Sequence, residues 1–233
     1  LARSKKKSLL NKARTLITNT NPKSPISEQY RTIRTNLQFA SVDSELRTML
    51  VTSAGPSEGK SMTASNVATV FAQQGKRVLL IDADLRKPTV HYTFRVDNMK
   101  GLSTYLVGQG SLSETVSESH IENLDILPSG PIPPNPAEIL GSQAMSTLIQ
   151  EAQQSYDLVI FDTPPVLAVT DSQILANACD GVLLVVRSKQ TENEAAEKAK
   201  ELLEKAQAKL LGVVLNGKEI KNSNYYYYYG NSS

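Results

Sequence analysis

The run VTSAGPSEGKS at 51–61 passes from an apolar stretch through small residues to Gly59, Lys60 and Ser61. Residue types in this order suit the holding of a polyphosphate. Loop amides and the amino end of a following helix offer N–H donors and positive dipole to an anion. A lysine reaches the terminal phosphates and a hydroxyl can bind Mg²⁺. The candidate ATP contacts are Gly55, Pro56, Ser57, Glu58, Gly59, Lys60, Ser61 and Met62. The strict pattern G-x-x-x-x-G-K-[ST] asks for glycine where Ala54 stands; here the glycine is displaced to Gly55.

Two other apolar runs end in acids. VLLIDADLRKP at 78–88 carries Asp82 and Asp84, and LVIFDTPP at 158–165 carries Asp162. Residues i and i+2 of a strand share a face, so Asp82 and Asp84 point toward one spot beyond the strand's carboxyl end. Open α/β sheets bind their ligands at that edge. Hydroxyl and carboxylate oxygens suit Mg²⁺, which gives Ser61, Asp84 and Asp162 as the metal set. One carboxylate is then free to act as a base on an incoming hydroxyl, and Asp82 is the candidate. Lys60, Asp82 and Asp84 form the catalytic set, although sequence alone does not separate the roles of the two strand-end acids. Asn216, closing the last apolar run, could read an adenine edge or serve as a plain turn residue.

Bringing these groups together takes a framework. Apolar runs at Thr48–Thr52, Arg77–Ile81, Leu124–Leu127, Leu158–Phe161, Val182–Val186 and Leu210–Leu215 are continuous rather than alternating, the pattern of strands covered on both faces. Helices are expected between them, over Ser61–Gln74, Ala144–Gln154, Asp171–Ala178 and Glu192–Gln207. The alternation predicts an α/β fold, a mostly parallel twisted sheet with helices on both faces. Ahead of the first strand, Ser24-Pro25 starts a further helix, with serine as N-cap and Glu28 facing the dipole. Ile26, Tyr30, Ile33 and Leu37 would be its buried stripe.

At 233 residues and 40% apolar composition, the chain supports one domain with two tails. The expected division is a basic arm over 1–23, a nucleotide-binding domain over 24–221, and a tail over 222–233. Net charge is only +2, yet Arg3, Lys5, Lys6, Lys7, Lys12 and Arg14 crowd a stretch without acids. Such an arm could lie against anionic lipid, sit on nucleic acid or be a solvated tail. The one cysteine, Cys179, excludes an internal disulfide and points to a cytosolic chain. No apolar run approaches the roughly 20 residues of a membrane span, so any membrane attachment is expected to come from a partner. Leu1 is not a methionine, which fits a trimmed start, a fusion junction or a piece whose preceding part carried an anchor. The tail holds five successive tyrosines, Tyr225, Tyr226, Tyr227, Tyr228 and Tyr229, without the aliphatic content to fold alone.

From Ser24 to Tyr229 the chain resembles the bacterial tyrosine kinase family of capsule and exopolysaccharide export, with a P-loop fold related to MinD and ParA. The resemblance rests on several segments: the Walker A segment with Pro56, the D-x-D-x-R of Asp82, Asp84 and Arg86, the Walker B strand ending at Asp162, SGPIPPNPAE at 129–138, and the tyrosine cluster. The family's E-x-x-R-x-x-R motif stands as Glu28, Arg31 and Arg34. The resemblance implies a Mg²⁺- and ATP-dependent kinase that phosphorylates Tyr225–Tyr229 of a neighbouring copy. Glu28, Arg31 and Arg34 would lie at the contacts of a homo-oligomeric ring. Implied partners are a transmembrane activator, which would hold the protein at the inner face of the membrane, and a phosphotyrosine phosphatase; no nucleic acid is expected. The competing reading is a partitioning-type ATPase that dimerises on nucleotide. Those ATPases carry an extra P-loop lysine where this chain has Gly55.

Overall fold

The computed structural model describes residues 15–40 and 45–219. The basic run up to Arg14 and the tyrosine cluster lie outside these residues. In chain order the elements are α1 (Ile17–Thr20), α2 (Pro25–Ala40), β1 (Thr48–Ser53), α3 (Lys60–Ala72), β2 (Val78–Asp82), α4 (Val90–Phe94), α5 (Leu102–Leu106), α6 (Leu112–Thr115), β3 (Ser117–Glu118), β4 (Leu124–Leu127), α7 (Pro136–Leu140), α8 (Gln143–Ser155), β5 (Leu158–Asp162), α9 (Asp171–Ala176), β6 (Gly181–Arg187), α10 (Asn193–Lys205) and β7 (Leu210–Asn216).

The strands form one sheet in the order β3-β4-β2-β5-β1-β6-β7. Every pairing is parallel except the short β3 against β4. Strands alternate faces, so each feeds two cores. Leu50, Leu79, Ile81 and Phe161 pack with Leu148 of α8, Leu175 of α9 and Leu203 of α10. Met49, Val51, Leu80 and Ile160 pack with Leu37 of α2 and with Val67 and Phe71 of α3. Leu79, Leu80 and Ile81 are completely buried, each contributing about 1.5–3 kcal/mol of apolar burial. The two cores fix the sheet, and the sheet fixes where its carboxyl rim lies.

The expected strands and long helices are present within one or two residues of their predicted bounds. Ser24 caps α2 as expected, its Oγ accepting the Ser27 N–H at 3.1 Å.

Three expectations need correction. Residues 15–23, placed in the arm, pack on the domain: Leu16 is buried, and Thr18 donates both its N–H and its hydroxyl to Asn66 Oδ1 on α3. An apolar pattern cannot report such polar stitching. In the α2 stripe, Leu37 is buried but Ile26 is about half exposed, because the first turn overhangs the sheet edge. Finally, β7 is an edge strand whose Val213 and Leu215 are exposed; a continuous apolar run does not distinguish it from a central strand.

Candidate active site

The site assembles where β1, β2 and β5 end side by side. Asp82 and Asp162 are register partners on β2 and β5, and the loop after β1 turns back into α3 beside them. That loop takes left-handed backbone at Ser57, φ 64°, and at Gly59, φ 95°. Gly59 has a second reason to lack a side chain: a Cβ there would stand 2.1 Å from Asn216 Nδ2.

Lys60 leaves the first turn of α3 and places its ammonium 2.8 Å from Asp84 Oδ2, 3.5 Å from Asp162 Oδ1 and 3.3 Å from Ser61 Oγ. Asp84 Oδ1 accepts the Lys87 N–H at 3.0 Å, closing the turn after β2. Asp82 is held differently. Its Oδ2 accepts the N–H groups of Thr89 and Val90, both at 2.9 Å. Its Oδ1 is buried without a hydrogen-bond partner, and so is Asp162 Oδ2.

Electrostatics follow from one ammonium facing three carboxylates. Burial pulls Lys60 down, but Asp162 and Asp84 outweigh it, and the lysine is held charged. Burial pushes Asp162 up against the pull of Lys60. Asp82 is pushed up to about 8, by burial first and by Asp162 second. The cluster's excess negative charge and its two unpartnered carboxylate oxygens suit a divalent cation. Among the described residues, no three of His, Cys, Asp or Glu converge into a cage for a metal. The oxygens of Ser61, Asp84 and Asp162 around the Lys60 ammonium fit Mg²⁺, which takes one or two carboxylates and completes its shell with phosphate and water.

The remaining predicted residues are distributed as follows. Gly55, Pro56, Ser57 and Glu58 form the loop, with Pro56 and Ser57 exposed. Met62, partly buried, packs its side chain against the core on the α3 side of the sheet. Asn216 lies at the loop, donating from Nδ2 to the Glu58 carbonyl at 2.9 Å. Because a carbonyl can only accept, that bond fixes the amide's orientation. Glu28 and Arg31 pair with each other on α2. Arg34, expected at the contacts of a ring, turns inward and donates to the Val70 carbonyl of α3 at 2.9 Å.

Three features were missed. Arg187 donates to the Ser57 carbonyl at 3.0 Å, and Thr191 donates its hydroxyl to Glu58 Oε1. With Asn216 they hold the loop from outside. Arg86, noted only as part of a motif, makes a two-pronged pair with the fully buried Asp171, at 2.9 and 3.0 Å. The pair ties the turn after β2 to the amino end of α9. The signal for Arg86 was its motif; Arg187 and Thr191 carried none, because their partners are backbone or lie far off in sequence.

The AAA domain family matches residues 55–214. The chain is 57% identical over 217 residues to the tyrosine-protein kinase YwqD of Bacillus subtilis, covering 93% of this chain and 92% of that protein. The kinase domain of Escherichia coli tyrosine kinase ETK superposes with a TM-score of 0.86 at 36% identity, covering 89% of this chain and 82% of that one. A MinD protein complexed with Mg-ADP, from Pyrococcus horikoshii, has the same fold at a TM-score of 0.62 and 22% identity, covering 72% and 69% of the two chains. With a lysine and three acids gathered at the sheet's carboxyl rim, and kinases similar to it along nearly its whole length, the chain belongs to the bacterial tyrosine-protein kinases.

Proposed function

We propose that this kinase uses Mg-ATP to phosphorylate the tyrosine cluster Tyr225–Tyr229 of another copy of itself. The observation that carries the reading is the Lys60 ammonium standing between the phosphate loop and the acids Asp84 and Asp162. Phosphoryl transfer needs alignment and charge neutralisation more than covalent help from the protein. Loop amides from Gly55 to Ser61 and Lys60 would hold the triphosphate. Ser61, Asp84 and Asp162 would hold Mg²⁺, which supplies charge neutralisation on the phosphates. A tyrosine oxygen then bonds to the γ-phosphorus as the bond to the ADP oxygen breaks. Asp82 Oδ1, the unpartnered oxygen, would receive the phenol proton. The orientation of Asn216 leaves its Oδ1 to accept from an adenine amino group.

The uncharged, tyrosine-rich tail and the local pairing of Glu28 with Arg31 on exposed α2 are compatible with assembly into a ring. None of the helices of the described residues is long and apolar enough to cross a membrane. The basic arm supports placement at the inner membrane face through a transmembrane partner, with a phosphatase reversing the modification.

The test incubates the purified chain with Mg-ATP and locates phosphate by mass spectrometry. Phosphotyrosine is expected within 225–229, and none on a Lys60→Met chain incubated alone. Phosphate release without labelled protein would favour a plain ATPase.

A further inference from the structure

Asp84 and Asp162 both reach the Lys60 ammonium, yet the sheet holds only one of them. β5 ends on Asp162, whereas β2 ends at Asp82 and its ladder continues one step, from the Ala83 N–H to the Asp162 carbonyl at 2.8 Å. Asp84 stands beyond that step, in a turn closed by its own bond from the Lys87 N–H. The bond from Lys60 holds it only until a nucleotide draws the ammonium onto its phosphates. The spacing of the two acids therefore needs another support, and the first turn of α9 is built as one.

Asp171 and Ser172, the first two residues of α9, are completely buried. Ser172 donates to the Pro164 carbonyl and lies 3.1 Å from the Thr163 hydroxyl, just past Asp162. Pro164 is itself fixed to β1, because Thr52 donates to the same carbonyl at 2.8 Å, and the Thr163 N–H donates to the Val51 carbonyl at 3.1 Å. Ser172 thus pins α9 to the frame that carries Asp162. Its neighbour Asp171 takes the Arg86 guanidinium, from Nε at 2.9 Å and Nη2 at 3.0 Å, and so draws the Asp84 turn onto the same frame. Stability alone is a poor reason for such a pair, since buried ion pairs add little over apolar side chains of the same shape. What a two-pronged guanidinium–carboxylate pair does supply is a fixed distance and angle.

We infer that Arg86, Asp171 and Ser172 are positioning residues for the metal site, holding Asp84 at the distance from Asp162 that Mg²⁺ on a bound nucleotide requires. They act through the acids they hold. Mg²⁺ demands near-ideal octahedral geometry, so a small drift of the Asp84 turn costs metal affinity. The phosphate loop has its own clamp in Arg187, Thr191 and Asn216, so a nucleotide without metal is bound independently of α9.

The inference rests on the proposed metal set of Ser61, Asp84 and Asp162, and the test separates the two. ADP binding to the full chain is measured by titration calorimetry in EDTA and at a series of free Mg²⁺ concentrations, for the parent, Arg86→Lys and Ser172→Ala. Lysine keeps a charge beside Asp171 without the two-pronged grip. Ser172→Ala leaves no buried charge unpaired, and it carries the test if Arg86→Lys fails to fold. Each substitution should raise the Mg²⁺ concentration that gives half the gain in ADP affinity by about tenfold, while ADP affinity in EDTA matches the parent. An unchanged Mg²⁺ requirement, or an equal loss of affinity in EDTA and in Mg²⁺, overturns the inference and leaves the metal set standing. A parent chain whose ADP affinity does not respond to Mg²⁺ overturns the metal set itself.

Discussion

Two loops leave the carboxyl rim on opposite flanks of Asp82 and Asp162, and they are made rigid in the same way for opposite ends. The phosphate loop is gripped from outside by Arg187, Thr191 and Asn216, and it works through its backbone, with left-handed residues at Ser57 and Gly59. The loop after β4 is gripped by Asn98 and Ser103, and what it presents is side chain, Ile132 and the prolines. Both flanks are rigid, and the three acids between them belong to neither.

Lys60→Met is the severest blow to the nucleotide flank. Loss of a preorganised charge at the reacting group lowers turnover by about 10²–10³-fold, read as phosphotyrosine formed per unit time. The same chain should still be phosphorylated by an active copy, because its acceptor tail is untouched. A smaller pair of changes sets the flanks against each other. Asn216→Ala removes the amide bond to Glu58, worth about 1 kcal/mol, and should weaken ATP binding roughly fivefold in titration calorimetry without moving the acceptor KM. Asn98→Ala releases Ser129 and Gly130 on the other flank and should leave ATP affinity unchanged. If Asn98→Ala weakened ATP binding as much as Asn216→Ala does, the flanks would not be separable.

The sequence revealed the two flanks unequally. The phosphate loop was legible because an anion site uses few residue types: Gly59, Lys60 and Ser61 between strand and helix have little other use. The acids were legible because they end apolar runs. The loop after β4 could be seen as rigid, since prolines fix φ, but its clamp could not, because Asn98 bonds to residues about thirty positions away. The same blindness hid Arg187, Thr191 and the packing of Leu16 and Thr18 on α3. Burial was misjudged where a pattern had two readings. Ile26 and Leu215 satisfy the helix and strand periods, and only the sheet order, with β7 at an edge, says that they meet solvent.

The acids between the flanks give the smallest effect, in stability rather than turnover. Asp82, pushed up to about 8 by burial and by Asp162, favours the folded state only while it is protonated. That contribution is complete below the ordinary carboxyl range and is lost as pH rises through about 8. Lys60, raised by Asp162 and Asp84, stays charged over the same window and adds no slope there. Asp82→Asn keeps an oxygen for the Thr89 and Val90 N–H groups and carries no charge at any pH. With a chelator present, the variant and parent should melt together near pH 4. The variant should then pull ahead between pH 5 and 8, by about 2–4 °C for each kcal/mol in a domain of this size. A gap that stayed flat with pH, measured by differential scanning calorimetry, would mean that Asp82 ionises as freely in the fold as out of it, and that the centre of the site holds less strain than its burial implies.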